Sequence, residues 1–203
     1  MKLKRIVLLV LAFALAGTAV AFADEAAEMY KGSKVKVTVN GKPLNAPGIL
    51  LNVDGESKTM LPTRDIADIL QAMVQWDEKK QSVNIYKPNV HIALTTKDKD
   101  GTIGMFGSVY YKNQYDFYIF AQIDNLTTDI QAMKFEIVDP FGNVVYEKKH
   151  ELEGIESEML WVRSPVSMKF DYLGNYKARV YMKPAFENQF FLVSEKVIES
   201  KQG

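Results

Sequence analysis

The chain has 203 residues, 25 basic and 25 acidic side chains, and no cysteine. Apolar residues at 47% and aromatics at 11% exclude a disordered chain, and zero cysteines exclude disulfides, lipid attachment through a thiol, and thiol catalysis. The even charge argues against a nucleic-acid partner, because affinity for phosphate comes from many Lys and Arg contacts.

The N-terminus reads as an export signal. Lys2, Lys4 and Arg5 precede an apolar run from Ile6 to Ala16, and small residues end at Ala21-Phe22-Ala23 before Asp24 and Glu25. This order predicts a secretory signal peptide over residues 1–23, cleaved after Ala23. A retained anchor is the alternative, but the 11-residue run falls short of the roughly 20 residues that cross a bilayer, so no stable span is expected after cleavage. The mature chain would carry 22 basic and 25 acidic groups, a net charge of −3. Its expected place is secreted or extracytoplasmic, in a bacterial cell envelope.

Residues 24–33 read as a short leader. Val35, Val37 and Val39 then alternate with Lys36 and Thr38, the period of a half-buried strand, and Asn40-Gly41 predicts a hairpin turn. Ile49-Leu50-Leu51 and Thr59-Met60-Leu61 flank a second turn at Asp54-Gly55. After Pro62 the period changes: Ile66, Ile69, Leu70 and Met73 form one face of a helix, with Thr63 as predicted N-cap and Asp65 at its positive end. Val74-Gln75-Trp76 and Val83-Asn84-Ile85-Tyr86 read as a hairpin around Asp77–Lys80. Residues 34–94 are therefore expected to form a small α+β domain, and the polar run Thr95–Gly101 a linker.

From residue 102 to 199 the pattern is strand after strand. Phe117, Ile119, Ala121 and Ile123 alternate; Phe135, Ile137 and Val144, Tyr146 surround a turn at Asp139–Asn143; Tyr176, Ala178, Val180 and Met182 alternate again; a last strand runs Phe190–Val197. About seven short strands with no helix pattern predict an all-β, immunoglobulin-like sandwich, followed by a tail at 200–203. Asp171–Tyr176 resembles a tyrosine corner, in which a tyrosine hydroxyl closes onto nearby backbone.

The stretch 35–86 resembles the copper amine oxidase N-terminal-like (stalk) domain family. The resemblance rests on Val37-x-Val39-Asn40-Gly41, on Met60-Leu61-Pro62-Thr63-Arg64-Asp65-Ile66-Ala67, on Val74-Gln75-Trp76-Asp77, and on Ser82-Val83-Asn84-Ile85. It implies a structural role for Asn40, Gly41, Pro62, Arg64, Trp76 and Asp77. It also implies a projecting module without the oxidase, since copper chemistry of that kind resembles a three-histidine site and this chain has only His91 and His150. Similar sequences have Gly-Ala after the helix; Gln71-Ala72 here weakens the expected helix stop, where glycine is favoured.

No residue set with catalytic or metal-ligand spacing stands out, and no cofactor is expected. Thr96–Gly107 hints at a calcium loop but has Thr96 and Gly107 where position-1 and position-12 carboxylates belong; a polar turn is the plainer reading. Asp65 and Asp68 fit the polar side of the helix better than an acid–base pair. A Ser–His pair remains open, although neither histidine stands near a nucleophile motif. The most informative feature is aromatic: Phe106, Tyr110, Tyr111, Tyr115, Phe117, Tyr118 and Phe120 fall within 15 residues. With Phe117, Ile119 and Ala121 inward, strand alternation turns Tyr118 and Phe120 outward, as a platform for a sugar ring or an anchor for a protein; alternatively the strand is covered on both sides. The expected role is a non-catalytic envelope protein that contacts wall polymer or another envelope protein. The alternative is an accessory subunit or inhibitor of an exported enzyme.

Overall fold

A computed structural model describes residues 32–53, 55–97, 103–152 and 159–203. The predicted signal peptide and its cleavage site, most of the leader, Asp54, and the Asp98–Gly101 part of the linker lie outside the described residues. The chain divides into two compact units, residues 1–66 and 67–203. Among the described residues both are mostly β, with one helix.

In the first unit, β1 (Ser33–Val35), β4 (Gly48–Val53) and β5 (Glu56–Met60) form an antiparallel sheet in the order β1-β4-β5. Between β1 and β4, β2 (Thr38–Val39) and β3 (Lys42–Pro43) form a short hairpin. Its turn needs two residues at positive φ, and Asn40 (φ 50°) and Gly41 (φ 76°) supply them as predicted. A side chain at Gly48 would meet Val35, Val37 and the Met60 carbonyl at 2.9–3.1 Å, so the close approach of these strands requires glycine there.

The helix α1 spans Thr63–Leu70, and the division between units falls within it. Its first bond runs from the Ile66 N–H to the Pro62 carbonyl, so Pro62 is the N-cap residue and Thr63 the first helical one. The predicted N-cap is thus displaced by one residue; the Thr63 hydroxyl donates to the Leu61 carbonyl instead. At the other end, Gln71 adopts the left-handed conformation (φ 57°), its N–H bonds to the Asp68 carbonyl, and the Ala72 N–H bonds to the Ala67 carbonyl. This is a Schellman stop with glutamine at the glycine position. It reverses the chain before Met73, so Met73 is a strand residue rather than the last member of the helix face. The left-handed conformation costs a non-glycine residue roughly 1–2 kcal/mol, part of which glycine's greater chain entropy cancels. Gln71→Gly is therefore expected to stabilise the protein by about 0.5–1 kcal/mol, read as a raised urea midpoint at unchanged slope. A lowered midpoint would mean that the glutamine side chain contributes more than its backbone costs.

In the second unit, β6 (Met73–Asp77) and β7 (Ser82–Tyr86) form the predicted hairpin. Two larger sheets follow. One is four-stranded, in the order β14-β11-β8-β9: β8 is Asn89–Lys97, β9 Ile103–Met105, β11 Gln114–Asp124 and β14 Leu160–Lys169. The other is five-stranded, in the order β10-β16-β15-β12-β13: β10 is Ser108–Tyr110, β12 Ile130–Val138, β13 Val144–Glu151, β15 Gly174–Pro184 and β16 Phe191–Lys201. The linker expectation is corrected by β8. Thr95, Thr96 and Lys97 are strand residues paired with Met105, Gly104 and Ile103, because threonine is a good strand former and ladder bonds come from backbone.

One core draws on both sheets. Leu94, Phe117, Ile119, Ala121 and Ile123 from the first pack with Phe135, Ile137, Tyr176, Val180 and Ile198 from the second. Apart from Leu94 and Ile198, these are alternating positions expected from sequence. Met73 of the hairpin belongs to the same core, and Tyr86 stacks on Phe186 at 5.4 Å, so the hairpin shares the interior of the larger sheets. Side-chain bonds also link the sheets, among them Ser194 Oγ donating to the Val90 carbonyl (3.0 Å) and Tyr146 Oη lying 2.7 Å from Ser164 Oγ.

Candidate functional site

The expected split within the aromatic run is visible in β11. Phe117, Ile119, Ala121 and Ile123 are buried, while Tyr118 and Phe120 stand on the opposite, outer face of the four-stranded sheet. The aromatic run therefore divides: Phe106 packs edge-on against Phe117 at 5.2 Å in the interior, and the Tyr115 hydroxyl accepts the Tyr110 N–H.

Register places the neighbours of the outer pair. Tyr118 lies opposite Pro165 and Thr95, Phe120 opposite Arg163 and Ala93, and Gln122 opposite Trp161 and His91. The contacts run along the diagonal: Trp161 meets the edge of Phe120 at 5.7 Å, and the Arg163 guanidinium lies 5.4 Å from the centre of the Tyr118 ring. Sheet twist brings such diagonal pairs together. Tyr118 and Phe120 are half-buried because these two side chains lean over them, while Trp161 itself is 65% exposed. Met105, opposite Thr95, and Ile103, opposite Lys97, extend the apolar surface at 80% and 71% exposure. An exposed indole, with further rings and one guanidinium beside it, suits the C–H face of a sugar ring or an apolar protein anchor.

The other outer face carries its own ion pairs. On the five-stranded sheet, Glu195 pairs with Lys177 (2.9 Å) and Arg179 (2.7 Å). Lys134 pairs with Glu136 and Glu147 and lies 4.6 Å over the Tyr181 ring. Burial raises the Glu195 pKa, but the hydrogen bonds and charges of Lys177 and Arg179 outweigh it and hold the carboxyl below its ordinary value. Charges that satisfy one another leave little for a partner.

The two histidines do not meet. His91 is exposed on the aromatic face. His150 Nε2 lies 3.2 Å from Ser164 Oγ, which also contacts Tyr146, while the Tyr146 hydroxyl donates to the Pro165 carbonyl (2.7 Å). Burial, and then the charge of Lys148, hold the His150 pKa below the usual histidine value. The Ser–His pair left open by sequence thus exists, but Ser164 is wholly buried (0% exposed) and offers no face to a substrate. Its geometry is that of a latch between β13 and β14. Among the described residues, no group of three or more His, Asp or Glu side chains is placed to hold a metal ion.

The motif residues have local structural tasks. Asn40 and Gly41 make the first hairpin turn, and Pro62 caps α1. Asp77 caps the β6–β7 turn by accepting the Lys80 N–H (3.1 Å). Arg64 is exposed and makes no ion pair among the described residues. Trp76 lies opposite Val83 on the outer face of its hairpin, with both 50% exposed.

Trp161 and Arg163, which complete the aromatic face, escaped the sequence reading. Strand β14 carries a signal in Leu160, Val162, Val166 and Met168, but Ser164 and Pro165 interrupt it. Proline is tolerated there because β14 is an edge strand of its sheet.

Residues 38–105 match the family model of the copper amine oxidase N-terminal domain, a non-catalytic region of those enzymes. The match covers about a third of the chain and reaches beyond Tyr86 to include β8 and β9. No curated protein matches the chain significantly.

Proposed function

We propose that this protein is an exported, non-catalytic component of a bacterial cell envelope that binds wall polymer, or an envelope protein, through the outer face of its four-stranded sheet. The observation that carries this reading is the contrast between two outer faces. One carries its own ion pairs; the other presents exposed Trp161, Met105 and Ile103 beside half-buried Phe120 and Tyr118. Two sheets around one core, with the Tyr176 hydroxyl closed onto the Tyr172 N–H, support an immunoglobulin-like sandwich for the second half. Export rests on the charged and apolar N-terminal sequence. Among the described residues no helix is long and apolar enough to cross a membrane.

The test is retention on purified cell wall. Trp161→Ala combined with Phe120→Ala is expected to reduce retention at least tenfold, in a protein whose circular dichroism is unchanged; Trp161→Ala alone, at a mostly exposed site, separates binding from folding. Unchanged retention in both variants would remove the reading. Co-purification with one exported enzyme, sensitive to the same substitutions, would place the protein as an accessory subunit instead.

A further inference from the structure

We propose that the aromatic face selects carboxylate-bearing polysaccharide, with Arg163 as the residue that reads the carboxylate. The proposal rests on the face being a binding surface and adds the class of its ligand. Arg163 stands among the rings, opposite Phe120 and over Tyr118. Its recorded contact is with the Tyr118 ring, and among the described residues no carboxylate pairs with its five N–H donors.

The neighbouring charges on this face are engaged or displaced. Lys169 pairs with Asp171 at 3.2 Å, and Asp124 accepts the Gln122 amide at 3.2 Å. Asp116, one row beyond Tyr118 and opposite Ser167, forms no ion pair with Arg163. His91, opposite Gln122, is exposed. The Tyr118 ring holds the guanidinium over the sheet, which lowers the entropy lost when its planar fork grips a carboxylate at two points.

Spacing chooses the ligand. Arg163 and Trp161 are two residues apart on one strand, about 7 Å. A pyranose lying on exposed Trp161 thus has Arg163 beside it, within reach of a carboxylate carried on the ring itself. A neutral sugar would use the rings and leave the guanidinium unused. A polymer that keeps its anionic groups on flexible linkers would place them away from the stacked ring. The balanced charge of 25 basic and 25 acidic groups gives no general attraction for polyanions, so the attraction has to be local.

The test compares two probes on the purified protein by titration calorimetry: oligogalacturonate, and a neutral cello-oligosaccharide of equal length. The acidic probe is expected to bind at least tenfold more tightly, with the difference shrinking as salt rises. Arg163→Gln is expected to weaken acidic binding about tenfold while leaving neutral binding in place, and Arg163→Lys to recover only part, since ammonium lacks the planar fork. Equal affinity for the two probes, no binding of either, or an Arg163→Gln variant that keeps the preference would each overturn the assignment. Loss of wall retention in Trp161→Ala would still support the face as a binding surface in those cases. Unchanged retention in Trp161→Ala together with its Phe120→Ala double variant would overturn the face and the assignment together.

Discussion

Phe170→Ala is expected to lower the unfolding free energy by about 3–5 kcal/mol. Phe170 follows directly after β14 and is fully buried. Its ring meets Tyr176 edge-on at 4.9 Å, Tyr115 edge-on at 5.8 Å, and Phe117 in a stacked arrangement at 6.3 Å. It thus joins residues of both sheets, and its backbone is also held: its carbonyl accepts the Lys112 N–H at 2.8 Å. Truncation removes the ring's transfer free energy and leaves a cavity bounded by three aromatic side chains that cannot all collapse inward. Small domains have only about 5–15 kcal/mol in total, so the variant should show a much lower urea midpoint or fail to fold. Phe170→Leu keeps most of the volume and should cost clearly less. A loss below about 1 kcal/mol for the alanine variant would mean that the ring is not in the core.

Tyr176→Phe is expected to cost about 1–3 kcal/mol while changing no apolar contact. The Tyr176 ring is buried against Phe170, and its hydroxyl accepts the Tyr172 N–H at 3.0 Å, closing the turn that leads into β15. Without the hydroxyl, that N–H loses its partner in a partly buried place. Titration supplies a second readout. Burial chiefly raises the Tyr176 pKa; the Tyr172 N–H opposes it, and the nearby charges of Asp139 and Asp171 add to it. A group whose folded pKa lies above its unfolded value stabilises fully below about pH 10, and that contribution is lost as pH rises through the folded pKa. The wild-type protein should therefore lose stability above about pH 10 more steeply than Tyr176→Phe, followed by thermal melts from pH 9 to 11. Parallel curves would show that Tyr176 does not contribute to the alkaline loss.

At the other end of the pH scale the turn opposite behaves in reverse. Burial raises the Asp139 pKa, but hydrogen bonds from the Asn143 side chain and from the N–H groups of Asn143, Phe141 and Gly142 prevail and lower it. Its contribution is present above the ordinary carboxylate range and is lost as pH falls through the lowered value. The sequence signal for this turn, Asp-Pro-Phe-Gly-Asn, carries the same chemistry: an aspartate that collects N–H groups and a glycine at positive φ (93°).

Much of the architecture was legible because it is local. Asn40-Gly41 needs only its own backbone preferences to make a turn, and the alternation of Phe117, Ile119, Ala121 and Ile123 needs only the pleat of a strand. The break of period after Pro62 marked α1, and the missing glycine at Gln71 marked a strained helix stop, which Gln71 indeed occupies at positive φ. Errors arose where a local pattern had two readings. Met73 continues the helix period and equally begins a strand; the backbone reversal at Gln71 selects the strand. Thr95–Lys97 has the composition of a linker, yet pairing with β9 makes it strand, since ladder bonds come from the backbone of a partner the residues themselves do not name.

The candidate site was half legible. Alternation alone turned Tyr118 and Phe120 to the outer face. Trp161 and Arg163 lie about 40 residues further along and reach those rings only through the antiparallel register of β11 with β14 and the diagonal lean that twist imposes. The sequence by itself determined periods, turns, the absence of cysteine chemistry, and a resemblance to a non-catalytic oxidase domain, because each depends on residues close in the chain or on composition. Only the tertiary structure decided which rings share a surface, which histidine meets Ser164, and which sheet face carries its own ion pairs. These depend on pairings between distant strands, and one residue of register moves every side chain to the opposite face.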